Sequence, residues 1–308
     1  MAFQNKPKPA NRALKSNRSG FKRFTEFSAF TLPAIAAILI FVEIPFIMSF
    51  FYSFTKWNGI DKSPKFIGLG NYKQLLTNDM NMGSALIFTL LLTICMVAAI
   101  NCLALLLAII LDSDIRGRNI LRAAFYIPNI ISLIVIGYIW RFIFSKAFDS
   151  LYELTHSGIF MISWLGDSRY AFVSILLVTV WQSIGFYLVI YIAGLQTVPK
   201  DVIEATYIDG ANPVRRFFSV TLPLIMPSIT VCVFYSLSNA MKTFDVIFSL
   251  TYGGPGTSTT SIALDIYKTA FSENNFGYAT AKSVVLFLMI LIITVLQVTV
   301  FKSKEVEV

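Results

Sequence analysis

The sequence predicts an all-α membrane protein with six transmembrane helices. Of its 308 residues, 56% are hydrophobic and only 14% are charged, whereas soluble domains carry about 25% charged residues. The apolar residues also form long, nearly unbroken runs. A large soluble α/β protein with a rich core is the alternative that these runs disfavour.

Five runs contain no Asp, Glu, Lys or Arg and approach or exceed the length of about 20 residues that crosses a bilayer. They are Leu86–Leu111, Ala123–Trp140, Tyr170–Pro199, Phe217–Met241 and Ser283–Phe301. Because the backbone in lipid must satisfy its own hydrogen bonds, we expect each run to be helical. The last five helices are expected to form one core, over residues 82–301.

A sixth run, Phe27–Thr55, is interrupted only by Glu43. A basic segment precedes it, as in a signal peptide, but its small residues Ala34, Ala36 and Ala37 lie inside the apolar run and not after it. The run therefore predicts an uncleaved first transmembrane helix. For Glu43, a local hydrogen bond or a contact with a partner subunit is favoured over proton coupling.

The positive charges predict the orientation. Fifteen of the 25 Lys and Arg residues fall in segments 1–26, 112–122, 198–216 and 302–308, which would all be cytosolic. Residues 1–26 are expected to be a flexible basic tail, and 302–308 a short cytosolic tail. The prediction is a multi-pass membrane protein with both termini on the cytosolic side. This topology explains the net charge of +8 without nucleic-acid binding.

Cysteine and histidine usage gives no support for a metal site. Cys95, Cys102 and Cys232 all lie in apolar runs without a CxxC pair, and His156 is the single histidine. Neither a zinc site nor a disulfide framework is expected. The sequence also has no evident internal repeat, so a secondary transporter built from inverted repeats gains no support.

The loop before the fifth run has its own predicted structure. Pro199 suits the first turn of a helix, and Asp201 nearby favours the positive end of the helix dipole. Gly210 can end that helix in the left-handed conformation. Asn212 and Pro213 then fit the N-cap and first position of a second helix. A helix lying on the inner leaflet is the simpler alternative to a docking element.

The residues of this loop resemble the EAA loop of ABC importer permeases. That pattern is E-A-A, two residues, D-G-A and a later Leu-Pro; here the chain reads Glu204-Ala205-Thr206-Tyr207-Ile208-Asp209-Gly210-Ala211, with Leu222-Pro223 downstream. Only Thr206 departs, in place of the second alanine. The resemblance implies the fold of an ABC type I importer transmembrane domain, with an EAA coupling loop at 198–223. It also implies that Glu204, Ala205, Asp209 and Gly210 dock on a cytosolic ATPase.

Further landmarks resemble the carbohydrate-importing branch of that family, with its maltose- and glycerol-3-phosphate-type permeases. They are Pro128-Asn129, Trp140, Trp181-Gln182, Ala193-Gly194-Leu195-Gln196, Gly253-Gly254-Pro255, Tyr267 and Phe271. The resemblance covers about residues 27–301. It implies uptake of a sugar or oligosaccharide delivered by an extracytoplasmic solute-binding protein, across a bacterial or archaeal cytoplasmic membrane.

The chain lacks the phosphate loop of an ATPase, since it contains no Gly-Lys dipeptide. We therefore expect a transporter subunit that is not an enzyme and binds no cofactor, with ATP and Mg held by a separate ATPase. The resemblance implies a complex of two homologous permease subunits, two ATPases and the solute-binding protein.

Polar residues within the predicted helices are candidates for the cargo pathway, because such residues are costly in lipid. The candidates are Asn129, Ser132, Gln182, Ser183, Phe186, Tyr187, Ser236, Asn239, Lys242 and Thr243. Helix packing is the alternative for each, and Lys242 has the further alternative of reaching toward the interface from a span end. The resemblance places Asn239 near a sugar-binding asparagine of maltose-type permeases.

Two rival functions stay open at this point. One is an ABC permease for glycerol-3-phosphate or another small polar solute. A phosphate ligand would require basic residues that face the cavity, and Lys242 is the evident candidate. An ATPase-independent carrier or scaffold would purify without an ATPase.

Overall fold

The computed structural model describes residues 13–303, and helices dominate that range. Four single helices are long and apolar enough to cross a membrane: Phe24–Tyr52, Met80–Asp112, Ser168–Gln196 and Phe276–Lys302. Two bent pairs, Arg118–Ile130 with Leu133–Thr155 and Pro213–Leu224 with Met226–Met241, bring the number to six if each pair is one span. The predicted all-α membrane fold is confirmed.

The N-terminal unit ends at Tyr52. It contains α1 (Ala13–Ile38), a π-helical turn at Leu39–Glu43 and α2 (Ile44–Tyr52). This differs from the predicted flexible tail of residues 1–26, because residues 13–26 contain no proline and are already helical. Residues 1–12 and 304–308 lie outside the described residues, with the corresponding parts of the predicted tails.

The second unit begins at Ser53 and holds the remaining elements. Strands β1 (Thr55–Lys56) and β2 (Lys65–Phe66) form an antiparallel pair. The helices up to residue 196 are α3 (Gly70–Asn78), α4 (Met80–Asp112), α5 (Arg118–Ile130), α6 (Leu133–Phe142), α7 (Phe148–Thr155) and α8 (Ser168–Gln196). A π-helical turn at Ile143–Ala147 joins α6 to α7.

The C-terminal third of the chain completes this unit. Its helices are α9 (Lys200–Ile208), α10 (Pro213–Arg216), α11 (Leu222–Leu224), α12 (Met226–Met241), α13 (Asp245–Leu250), α14 (Ile262–Tyr267) and α15 (Phe276–Lys302). Two π-helical turns, Phe217–Thr221 and Lys268–Ser272, lie within this stretch.

Contacts between helices define two ends of the second unit. Gln196 at the end of α8 donates to Asp112 at the end of α4 (Nε2–Oδ1 3.3 Å), so these two central helices run parallel. Helix α12 runs the opposite way: Ser236 contacts Asn101 of α4, whereas Thr243, just after α12, contacts the earlier residue Met96. We call the end with residues 197–212 the EAA end and the end with the strand pair the hairpin end.

Two predicted spans are broken near their middles. Backbone ψ angles of 136° at Ile131 and 133° at Ser132 interrupt the third span, and its two halves meet at a bend of 95°. The fifth span bends by 73° at Ile225, between Pro223 and Pro227. Prolines remove helical hydrogen bonds and produce such kinks, so Pro223 and Pro227 account for this bend.

One close helix contact depends on a glycine. Gly185 of α8 lies against the backbone of α5, and a Cβ at this position would overlap the carbonyl of Phe125. Small residues allow membrane helices to approach this closely. The contact places α5 against α8 next to Gln182.

A buried ionic cluster joins four elements at the hairpin end. The ammonium of Lys282, on α15, lies 2.8 Å from Asp79 and 2.7 Å from Asp265, and its side chain is 3% exposed. It also donates to Thr269 at 3.2 Å. Tyr278 donates to the Asp79 carboxylate at 2.6 Å. The cluster therefore fixes the start of α4, helix α14 and the turn after it against α15.

Asp79 also caps α4, because its Oδ1 accepts from the Met82 N–H at 2.8 Å. Burial alone would raise the pKa of the Asp79 carboxyl. The hydrogen bonds from Lys282, Tyr278 and Met82, with the charge of Lys282, outweigh burial and hold the pKa below its ordinary value of 3.8. The carboxylate is thus ionised throughout the neutral range.

Candidate functional site

A polar cavity of about 430 Å³ lies between the central helices of the second unit. Its volume is within the usual range for small-molecule sites, about 300–1,000 Å³. Helices α4, α5, α8 and α12 and the segment after α12 supply most of the wall. The lining residues are Met96, Ile100, Tyr126, Asn129, Leu133, Thr179, Gln182, Ser183, Phe186, Tyr187, Tyr235, Ser236, Asn239, Lys242, Thr243, Phe244, Asp245 and Val246.

The structure brings nine of the ten predicted pathway residues to this one wall. The exception is Ser132, which is exposed at the break between α5 and α6 and is not among the lining residues. The extended backbone of Ile131 and Ser132 explains this outcome, because it ends the helical spacing that would have placed Ser132 beside Asn129.

One wall of the cavity is aromatic. The rings of Phe186 and Tyr235 lie 4.9 Å apart between centroids and are tilted by 38°. Tyr187 lies 5.3 Å from Phe186 and 6.1 Å from Tyr235. Such rings offer flat, apolar faces next to hydroxyl groups. This wall fits a ligand with both apolar C–H faces and polar edges.

Neutral polar side chains face this region from α8. The hydroxyl of Ser183 donates to the Thr179 carbonyl at 2.7 Å, so its remaining lone pairs can accept from a ligand. Gln182 is 6% exposed, and its amide donates to the Asn129 carbonyl at 3.5 Å. The Gln182 oxygen is an additional acceptor. Both side chains therefore present hydrogen-bond acceptors to the cavity.

A hydrogen-bonded network that the sequence reasoning missed supports the cavity from behind. Asn101 donates to the Ser236 hydroxyl at 2.9 Å and accepts from the Tyr191 hydroxyl at 2.7 Å. Ser236 in turn donates to the Val233 carbonyl at 3.1 Å. Ser236 therefore has its proton committed, and its one remaining lone pair can only accept. An asparagine in the middle of an apolar run was the available signal.

The hairpin end of the cavity is closed by residues 242–246, between α12 and α13. The carbonyl of Thr243 accepts from Ser261 at 2.8 Å, which ties this segment to α14. Phe244 lies 5.2 Å from the ring of Tyr267. Tyr267, a landmark of the predicted family pattern, thus supports the cavity wall from outside.

A second cavity of about 590 Å³ has a different chemistry. Its lining residues are Ala99, Leu103, Leu121, Ala124, Phe125, Pro128, Val173, Leu176, Leu177, Val180, Trp181 and Ile184. Trp181 faces this apolar cavity, whereas the adjacent Gln182 faces the polar one. An apolar wall suits hydrocarbon and leaves hydroxyl groups without partners, so the polar cavity is the candidate site for a hydrophilic cargo.

The EAA loop has the predicted helix–glycine–helix form. Helix α9 ends at Ile208, and Gly210 follows with a φ of +69°. The side chain of Asn212 then accepts from the Arg215 N–H at 2.7 Å, with Pro213 at the first position of α10. The corner is therefore encoded locally, by a left-handed glycine and an asparagine cap.

The residues that the family pattern marks for docking are all exposed: Glu204, Ala205, Asp209 and Gly210. The inward side of α9 is formed by Ile203, which is half-buried, and Thr206, which is 8% exposed, while Val202 and Ala205 are exposed. The Thr206 hydroxyl donates to the Ile203 carbonyl at 2.6 Å. The threonine that departs from the pattern thus satisfies its hydroxyl within its own helix.

Two further residues give the loop an apolar tip that the sequence reasoning left out. Ile208 is 87% exposed and Tyr207 is 63% exposed. The guanidinium of Arg216 lies 4.1 Å from the centre of the Tyr207 ring, a cation–π contact that braces α9 against α10. The tip therefore combines exposed apolar and acidic groups on a braced corner.

Comparison with known proteins identifies the family. The family model described as binding-protein-dependent transport system inner membrane component matches residues 100–304. A probable permease protein for starch degradation products from Thermoanaerobacterium thermosulfurigenes is 42% identical over 93% of this chain and 97% of its own length. The permease of a multiple sugar-binding transport system from Streptococcus mutans is 33% identical over 94% and 99%. A trehalose/maltose permease from Thermococcus litoralis is 31% identical over 89% and 92%.

Solved structures agree on the fold. A chain of a bacterial ABC transporter that imports the acidic polysaccharide alginate superposes with a TM-score of 0.78, at 20% identity over 94% of this chain and 99% of that chain. A chain from the same kind of transporter, in complex with a periplasmic protein bound to an alginate pentasaccharide, gives a TM-score of 0.76. The chain thus belongs to the family of inner membrane components of binding-protein-dependent transport systems, as a permease subunit of an ABC importer.

Proposed function

We propose that this permease passes a sugar or oligosaccharide, received from an extracytoplasmic solute-binding protein, through the polar cavity between α4, α8 and α12. The observation that carries the proposal is the wall itself, where tyrosine and phenylalanine rings adjoin neutral hydroxyl and amide groups. Aromatic faces suit the C–H faces of sugar rings, and the amides and hydroxyls suit their edges. The sugar cargoes in the names of its relatives support the same substrate class.

The proposed mechanism places ATP and Mg on a partner ATPase and assigns the EAA loop to docking. Glu204, Ala205, Asp209 and Gly210 would contact that ATPase, and the exposed Ile208 would supply apolar area at the same contact. Closure of two ATPases would pull on the loop. The bend at Ile225, where α12 begins, is the joint through which that motion would reach the cavity.

The proposed assembly is two homologous permeases, two ATPases and the solute-binding protein. The EAA end would be cytosolic, since the positively charged segments named above lie at this end or at the termini. The hairpin end would then face the binding protein.

A second candidate cargo is a small anion such as glycerol-3-phosphate, and the observation that favours it is Lys242 in the cavity wall. The same wall contains Asp245, which opposes an anion. The saccharide proposal therefore has the better support. An ATPase-independent carrier is the third candidate, and the matching family model weighs against it.

The test is uptake of radiolabelled maltotriose by proteoliposomes that contain the assembled transporter, with its binding protein outside and ATP inside. We expect maltotriose to accumulate only when both the binding protein and ATP are present. Gly210→Pro should abolish it, because proline cannot adopt a positive φ, and Glu204→Lys should reduce it severely. Glu26→Gln, an exposed change on α1 outside the EAA loop, is the control.

Retained membrane insertion and complex purification distinguish loss of coupling from loss of folding. Uptake without ATP would support the carrier class. Uptake of glycerol-3-phosphate in preference to any saccharide would support the second candidate. Full uptake in both EAA variants would contradict the coupling assignment.

A further inference from the structure

The cavity wall carries two charges of opposite sign at its hairpin end. Of the eighteen lining residues, all within the described part of the chain, only Lys242 and Asp245 are charged. Lys242 follows the last residue of α12, and Asp245 is the first residue of α13. Both are exposed. The break between the two helices therefore presents an ammonium and a carboxylate to the same space.

Neither charged group is paired with another described side chain. Among the ion pairs and side-chain hydrogen bonds between described residues, none involves the Lys242 ammonium or the Asp245 carboxylate, whereas Lys282 at the same end is fully paired. If Lys242 and Asp245 had a purely structural role, we would expect them to form ion pairs within the protein, as Lys282 does with Asp79 and Asp265. The two groups are therefore available to a ligand.

The pair has a definite preference among cargoes. A carboxylate accepts hydrogen bonds from neighbouring hydroxyl groups, and an ammonium donates to hydroxyl or ring oxygens; such charge-assisted bonds are stronger than neutral ones. An uncharged polyol can satisfy both groups at once. An anionic cargo gains from Lys242 but is repelled by Asp245.

We infer that Asp245 is a specificity-determining residue that admits uncharged saccharides and excludes anionic ones. The inference rests on the proposed function, because it concerns the saccharide cavity. Lys242 alone would make this end of the cavity attractive to uronic acids and sugar phosphates. Asp245 offsets that attraction while adding an acceptor for hydroxyl groups. This end of the wall thus selects by charge, and the aromatic wall by shape.

The experiment uses the assembled transporter in lipid nanodiscs without its binding protein, so that only the permease selects. Binding of tritiated maltotriose is competed with unlabelled maltotriose, with its analogue in which one glucose is replaced by glucuronic acid, and with glycerol-3-phosphate. A zwitterionic dipeptide, dialanine, is the fourth competitor. The ratio of the inhibitory concentrations of the uronic and neutral trisaccharides measures selectivity.

We expect unaltered protein to prefer the neutral trisaccharide, and Asp245→Asn to reduce that preference by about tenfold, the order expected for one nearby charge. Lys242→Met should change the ratio in the opposite direction. Asp61→Asn, an exposed carboxylate outside the cavity, should leave it unchanged. Asparagine keeps the shape of aspartate, and the Asp245 side chain has no protein partner to lose.

The outcomes separate the inference from the proposed function. Neutral selectivity that persists in Asp245→Asn overturns the inference and leaves the saccharide site standing. If dialanine competes better than maltotriose, the pair serves a zwitterion, and both are overturned. If the transporter neither binds nor takes up any saccharide, the proposed function is refuted, and the inference about Asp245 is refuted with it.

Discussion

The Lys282 cluster allows a quantitative test of how the hairpin end is held together. Lys282→Met keeps a similar length and apolar stem but removes the ammonium from between Asp79 and Asp265. The change breaks two contacts of 2.8 and 2.7 Å among side chains that are 3–10% exposed. Hydrogen bonds to charged groups contribute about 1.5–3 kcal/mol each. The two contacts thus predict a loss of about 3–6 kcal/mol.

An independent estimate agrees, because removal of one partner from a buried ion pair costs about 3–5 kcal/mol. We therefore expect Lys282→Met to lower the free energy of unfolding by about 4 kcal/mol. The assay is unfolding of the purified subunit in mixed micelles by titration with sodium dodecyl sulfate, followed by tryptophan fluorescence. Lys73→Met, at an exposed position of α3, is the control and should cost less than about 1 kcal/mol.

A triple variant identifies the cause of the loss. Combining Lys282→Met with Asp79→Asn and Asp265→Asn removes the uncompensated carboxylates, and asparagine still caps α4. Since this variant no longer buries a carboxylate without a counter-charge, it should recover part of the stability lost by Lys282→Met. Equal stability of Lys282→Met and the Lys73→Met control would refute the reasoning, as would a triple variant no more stable than the single one.

Three further predictions concern packing, the cavity and pH. Gly185→Ala should impair assembly severely, because its Cβ would overlap the Phe125 carbonyl, whereas Gly83→Ala in open space should be neutral or slightly stabilising; the yield of folded protein measures both. Asn101→Ala should raise the KM for maltotriose uptake several-fold with little change in the maximal rate, since Ser236 loses the bond that orients it; an equal loss in both would contradict this role. Because the folded pKa of Asp79 lies below its ordinary value of 3.8, its contribution to stability should be constant from pH 5 to 8 and be lost only as the pH falls below about 4; a decline in unfolding free energy above pH 5 that Asp79→Asn removes would contradict this sign.

Much of the fold could be predicted because lipid imposes one rule on every apolar run. Long runs must be helical to satisfy the hydrogen bonds of their own backbone, and each of the six predicted runs overlaps an observed span or bent pair. The same local physics encodes the EAA corner, where Gly210 and Asn212 each act on their immediate neighbours. These features depend on few distant contacts.

The Lys282 cluster and the position of Asp245, which sequence reasoning missed, depend on how distant parts of the chain meet. Lys282 was placed just before the beginning of the last predicted run because a lysine is costly in lipid, and only the fold brings Asp79 and Asp265 to it. The pathway was predicted from polar residues within runs, which found Asn239 but omitted Asp245, because Asp245 follows the end of its run. A charge just outside a predicted span can face the interior once the chain turns back.

Photo-crosslinking is the most direct test of the claim that the cavity is the cargo pathway. Maltotriose with a photoactivatable diazirine would be added to the assembled transporter, and the labelled peptides of this subunit identified by mass spectrometry. The account predicts labelling on α8 near Ser183–Tyr187 and on α12 near Ser236–Thr243, suppressed by excess unlabelled maltotriose. Labelling confined to the apolar cavity around Leu103 and Leu177, or not suppressed by maltotriose, would contradict it.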